Sequence, residues 1–162
     1  MSWDSSSEVH RNGVLRFLEG LRKRKVPVDA LGLQSHIGAN DGRIYSTPQE
    51  AAWRRFLDEV TGMGYQLLIT ELDVNDGGLP IDPTRRDRMI ADLARRYLDI
   101  TLSYPQLKYV LTWGLVDKDS WLEHLTPRAD GTPRRPLPFD SDYRPKPPYF
   151  AMAAAFRAAP HR

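Results

Sequence analysis

Apolar residues along this chain alternate between two rhythms. In NGVLRFLEGLRKRK (12–25), Val14, Leu15, Leu18 and Leu21 recur at helical spacing, which predicts an amphipathic helix. VDALGLQSHI (28–37) is a short apolar run with a polar end and reads as a strand. The next segment opens with Thr47, Pro48 and Glu50, a capping box with proline at the first helical position. Its stripe is Ala52, Phe56, Leu57 and Val60, with Gly62 and Gly64 ending it and Trp53 assigned to helix packing. YQLLITELD is a second strand. Asp82-Pro83 starts a long helix to about Ser103, with Ile90, Leu93, Ala94, Tyr97, Leu98 and Thr101 along one side. LKYVLTWGL is a third strand, a loop rich in proline and glycine follows (117–147), and PYFAMAAAFRAA closes the chain as a helix.

The predicted order is αβαβαβα. Strands that read as continuous apolar runs are buried on both faces, which means a parallel sheet covered by helices. A doubly wound sheet and a (β/α)8 barrel share that pattern. Polar and aromatic groups at three consecutive strand ends favour the barrel: Gln34 and His36, Glu71 and Asp73, and Trp113. Barrels assemble their active sites from such ends.

The sharpest signal is LLITELDVND (67–76), an apolar strand that runs into two carboxylates. Simple alternation puts Leu67, Ile69, Glu71 and Asp73 on one face and Leu68, Thr70 and Leu72 on the other. A charge at such a place is costly unless it is paired or used.

Composition narrows the reading by exclusion. The chain has 162 residues, one domain's worth, with 41% hydrophobic residues, 27% charged and a formal net charge of +2. So small a charge gives no argument for nucleic acid. The basic run Arg22-Lys23-Arg24-Lys25 suits the dipole at a helix end. The absence of cysteine removes disulfides and thiol chemistry. No apolar run reaches membrane-spanning length, and MSWDSSSEVHRN has no signal-peptide core. Histidines 10, 36, 124 and 161 lack zinc spacing, and DVNDGG departs from a calcium loop at its glycine and at Thr84. No metal or cofactor is expected.

GLQSHI, ITELD and TWGLVDKDSW resemble, in order, the sixth, seventh and eighth strands of family 10 glycoside hydrolases, the endo-β-1,4-xylanases. The resemblance runs from about residue 8 to YFAMAAAF. It implies a retaining hydrolase of xylan or xylo-oligosaccharides, with Glu71 as nucleophile and His36 and Asp73 as neighbours that orient it. It also implies that Gln34 binds the sugar next to the scissile bond and that Trp113 and Trp121 wall the same subsite. The chemistry is consistent with those roles. A retaining glycosidase needs one ionised carboxylate and one carboxylic acid. A donor such as His36 favours the charged form of the first. Indole faces and an amide suit a sugar's C–H faces and hydroxyls. Asp117 and Asp119 read as turn residues that shape the loop presenting Trp121.

The chain also departs from the family. It contains no Asn-Glu pair, the family's acid/base signature, and Glu8, Glu19, Glu50, Glu59 and Glu123 fall on predicted helices, caps or loops. Position 122 is Leu where the family often has arginine. A full barrel takes about 250 residues. Residues 1–162 are therefore expected to be the C-terminal portion of a family 10 barrel, with strands one to five absent. Two readings stay open: part of a xylanase that carries the nucleophile without the acid/base, or a non-catalytic remnant that binds xylan. A barrel hydrolase of other β-glucans is a third. Family members are commonly secreted or periplasmic, and the compartment of this chain is left open. Three strands cannot close a barrel, so the chain is expected to self-associate or be complemented by an N-terminal half. Leu31, Leu33, Leu67, Ile69, Val110 and Leu111 include the residues at risk of exposure.

Overall fold

The computed structural model describes residues 8–38 and 47–160. Its central strand, β3 (Gln66–Asn75), is flanked by β1 (Ala30–Leu33) and β2 (His36–Gly38) on one side and by β4 (Leu107–Thr112) on the other. Every pairing is parallel, with Leu33 opposite Ile69, His36 opposite Asp73 and Val110 opposite Ile69. Helices α2 (Thr47–Gly62) and α3 (Pro83–Thr101) make the crossovers between neighbouring strands, preceded by α1 (Glu8–Lys23). A short α4 (Trp121–Leu125) and the closing α5 (Pro147–Ala158) follow β4. Neighbouring parallel strands joined in sequence by helices are the repeating unit of a barrel wall.

The apolar stripes read from the sequence form the core. Ile90, Leu93, Ala94, Tyr97, Leu98 and Thr101 of α3 are all buried, as are Phe56, Leu57 and Val60 of α2. Trp53 is buried too, with its ring centroid 5.7 Å from Phe56 and 5.8 Å from Tyr97. Asp82 caps α3 by accepting the Arg85 N–H at 2.7 Å, and Pro83 occupies the first turn. The capping box expected at Thr47 and Pro48 rests on side chains outside the described residues.

Four expectations are corrected. Helix α1 begins at Glu8 rather than at residue 12. The single strand expected over 28–37 is two, because Ser35 takes a φ of +66° and interrupts the ladder between β1 and β2. The loop over 117–147 contains a 3-10 turn (Asp117–Asp119) and the helix α4. Simple alternation also fails along β3. From Ile69 to Leu72 it advances three residues while β4 advances two, from Val110 to Thr112. That bulge shifts the parity of everything after it. Leu67, Ile69, Leu72 and Val74 are accordingly buried in the core, and Glu71 and Asp73 share the opposite face with Leu68 and Thr70. The residues at risk of exposure sort the same way. Leu33, Leu67 and Ile69 are fully covered, whereas Leu111 and its neighbour Tyr109 are exposed.

Candidate active site

The site is built where β2, β3 and β4 end. Ser35 sets the entry. A left-handed backbone costs an L-residue roughly 1–2 kcal/mol, and two contacts offset it here. The buried Ser35 Oγ lies 2.6 Å from the Tyr97 hydroxyl and donates to the Leu33 carbonyl at 3.2 Å. Burial pushes the Tyr97 phenol well above its ordinary pKa, so it stays protonated. Past this anchor, parallel register sets His36 beside Asp73.

His36 bridges two carboxylates. Its Nδ1 is 2.9 Å from Asp73 Oδ1 and its Nε2 is 3.1 Å from Glu71 Oε2. A neutral imidazole has one N–H, so two ionised acceptors are both satisfied only by the doubly protonated ring. The bond to Asp73 is the main cause raising the His36 pKa; desolvation opposes it, and the bond to Glu71 and both negative charges add to the rise. Asp73 is buried, and its second oxygen accepts the Trp121 Nε1–H at 2.6 Å. Trp121 opens α4, where Ser120 Oγ accepts the Leu122 N–H at 3.2 Å. Its ring centroid is 5.1 Å from that of His36.

Trp113 forms the other wall. Its N–H donates to the Leu72 carbonyl at 3.0 Å, and its half-exposed ring meets His36 edge-on at 6.4 Å. Gly114 follows at a φ of +103°, where a Cβ would come within 3.0 Å of Leu137 Cδ1. Glycine alone fits that turn without strain. Glu71 is half-buried with its Oε2 on His36, and Gln34 is exposed in the break between β1 and β2. The structure thus gathers Glu71, Asp73, His36, Trp113 and Trp121 and sets Gln34 at the lip.

A second layer was not anticipated from the sequence. Asp76 is fully buried, with guanidinium nitrogens of Arg134, Arg86 and Arg128 at 3.2, 3.6 and 3.9 Å and the Arg135 N–H donating at 3.0 Å. Arg134 also donates to Asn75 Oδ1 at 3.1 Å and to the Thr126 carbonyl, and its backbone N–H donates to Glu123 at 2.7 Å. One arginine thereby ties the end of β3 to the helix that carries Trp121. Asp117, expected as a turn residue, opens the 3-10 turn and is buried there with Lys146 Nζ at 2.8 Å. Burial pushes its carboxyl up to about 6, against the pull of Lys146. The sequence signal for this layer is thin: its arginines and aspartates are scattered along the chain with no shared motif.

The other glutamates are placed away from strand ends. Glu19 pairs with Lys23 at 2.8 Å, Glu50 with Arg96, and Glu123 accepts from Arg134. Glu8 and Glu59 are exposed on α1 and α2. Among the described residues, Glu71 is the glutamate in a strand.

The family model for Glycosyl hydrolase family 10 matches residues 3–155. The chain belongs to glycosyl hydrolase family 10. It is 31% identical over 143 residues to endo-1,4-β-xylanase B of Thermotoga neapolitana, covering 87% of this chain and 38% of that protein. Native xylanase 10B of Thermotoga maritima superposes with a TM-score of 0.75 at 31% identity, over 90% of this chain and 42% of that one. Xylanase 10B of Thermotoga petrophila, solved in complex with xylobiose, gives 0.76 at 30% identity over 90% and 41%. The fold is accordingly part of the family 10 (β/α)8 barrel, and the chain spans about two-fifths of the length of these relatives.

Proposed function

We propose that this chain is the nucleophile-bearing C-terminal sector of a retaining endo-β-1,4-xylanase. The observation that carries the reading is the imidazole of His36 held between Glu71 and Asp73. In the reaction, a Glu71 oxygen attacks the anomeric carbon as the glycosidic C–O bond breaks. A carboxylic acid from outside the described residues protonates the departing oxygen. Water then cleaves the glycosyl ester, and two inversions leave the configuration retained. His36 and Asp73 orient Glu71 through this cycle. Trp113 and Trp121 stack on the xylose ring, and Gln34 bonds to its hydroxyls. The xylobiose complex of the Thermotoga petrophila relative supports an oligosaccharide in such a pocket.

The test uses the chain joined to the first five βα units of a family 10 relative, so that an acid/base is present. A 2-fluoro-xylobioside inactivator is expected to attach to the peptide containing Glu71. Mass spectrometry that places the sugar on another residue refutes the assignment.

A second reading, a non-catalytic xylan-binding remnant, is favoured by the engagement of Glu19, Glu50 and Glu123 elsewhere. A dinitrophenyl leaving group needs no proton, whereas acid catalysis typically contributes about 10²–10⁴-fold for a sugar. Turnover of dinitrophenyl xylobioside by the chain alone, with xylan left almost untouched, supports the nucleophile. Binding of xylotriose with neither substrate turned over supports the remnant.

A further inference from the structure

The step from β1 to β2 is out of register with the strand beside it. Leu33 lies opposite Ile69 and His36 opposite Asp73, so one side advances three residues while β3 advances four. An even ladder carried on from Leu33 would set His36 opposite Leu72, whose side chain is buried in the core. The one-residue offset is what delivers the imidazole to the carboxylates. It is taken up at Ser35, with its φ of +66°. Left-handed backbone is uncommon for residues other than glycine, and it persists where the surroundings over-determine it.

Here the surroundings are a chain of hydroxyls. Ser35 Oγ donates its one proton to the Leu33 carbonyl at 3.2 Å, so the Tyr97 hydroxyl donates to Ser35 at 2.6 Å. Thr70 Oγ1, next to Glu71, donates to the same Leu33 carbonyl at 3.2 Å. Ser35 and Tyr97 are both fully buried. The Tyr97 ring is packed 5.8 Å from that of Trp53, so its hydroxyl reaches the break from a fixed point on α3. Three elements, β1, β3 and α3, thus meet at one turn. We propose that Tyr97 is a positioning residue for the reaction assigned to Glu71: through Ser35, its hydroxyl holds the offset that seats His36 between Glu71 and Asp73. The consequence for turnover rests on Glu71 being the nucleophile; the hold on His36 does not.

The test is a rescue. NMR titration of His36 in the full chain is compared among the parent, Tyr97→Phe, and Tyr97→Phe combined with Ser35→Gly. Tyr97→Phe removes one oxygen and keeps the packed ring. The raised His36 pKa should then fall by at least about half a pH unit toward its ordinary value. Glycine takes a positive φ with no partner to hold it, so adding Ser35→Gly should recover at least about half of that fall. A second substitution would deepen a general loosening of the core, so recovery separates a hold on the turn from lost packing. In the chain joined to the first five βα units of a family 10 relative, kcat on dinitrophenyl xylobioside should drop at least about tenfold in Tyr97→Phe and rise again with Ser35→Gly.

A His36 pKa unmoved by Tyr97→Phe overturns the proposal, as does a fall that Ser35→Gly leaves in place. So does an unchanged kcat in a joined chain that labels at Glu71. An ordinary pKa in the parent overturns it together with the bridge itself. If Tyr97→Phe does not fold, Ser35→Ala is set against Ser35→Gly: both remove the partner of Tyr97, and only alanine resists the left-handed turn. A lower His36 pKa in the alanine variant supports the hold, and equal values overturn it. A His36 that responds as expected, with sugar labelling on a residue other than Glu71, counts against the reaction alone. Labelling at Glu71 with an unmoved His36 counts against the role of Tyr97 alone.

Discussion

Asp73 and Asp76 lie three residues apart at the end of β3 and both are buried, yet their surroundings differ in kind. Asp76 is enclosed by Arg86, Arg128 and Arg134, and a backbone N–H fills its remaining side. Nothing there is offered to a ligand. Asp73 shares one imidazole with Glu71 and takes one indole N–H, and among the described residues Glu71 Oε1 is left without a partner. Identical carboxylates on one strand end thus do different work. A saturated one locks loops together, while the part-satisfied pair leaves one Glu71 oxygen without a donor among the described residues. Burial does not separate the two. The count of donors does.

Removing the saturated carboxylate should have the largest effect. Asp76→Ala leaves three guanidinium groups crowded without their counter-ion, and breaking a buried ion pair from one side typically costs about 3–5 kcal/mol. Chemical denaturation should show that loss, and a cost under about 1 kcal/mol would erase the distinction between the clusters. Trp121→Phe keeps the ring but leaves Asp73 Oδ2 short of a donor, at about 1–3 kcal/mol in the same assay.

Titration sharpens the contrast further. NMR should find the His36 pKa above the ordinary histidine value of about 6.5. Asp73→Asn should bring it down. Because the folded pKa is the higher one, the contribution of His36 to stability is fully present below about pH 6.5 and is lost as pH rises through the raised value. A normal or depressed pKa would mean that the imidazole does not carry its charge between the carboxylates. The smallest effect belongs to Glu71→Gln, whose amide oxygen can still accept from His36: it should change stability by no more than about 1 kcal/mol while abolishing sugar labelling.

Much of this was legible in the sequence because apolar periodicity and strand-end chemistry are local. Ile90 through Thr101 reveal their buried face at helical spacing, and Glu71 announces itself by standing at the end of an apolar run. Three features were not legible. The bulge after Ile69 is a property of two strands in register, so β3 alone reads as regular alternation and places Glu71 on the wrong face. Ser35 is not a residue type that signals a left-handed turn; Tyr97, sixty-two residues away, holds it there. The arginines around Asp76 come from α3 and from the loop before α5, and each looks like a solvated surface charge until the fold converges them.

The bond from Trp121 to Asp73 has a practical consequence. The chain has four tryptophans, and only Trp121 donates its indole N–H to a buried carboxylate, among the described residues. Its indole proton should therefore resonate far from the others, and its fluorescence should respond to the charge on the carboxylate beneath it. A ligand that pulls the ring away alters both signals at once. The pocket carries its own optical and magnetic reporter, which can be read without label or substrate turnover.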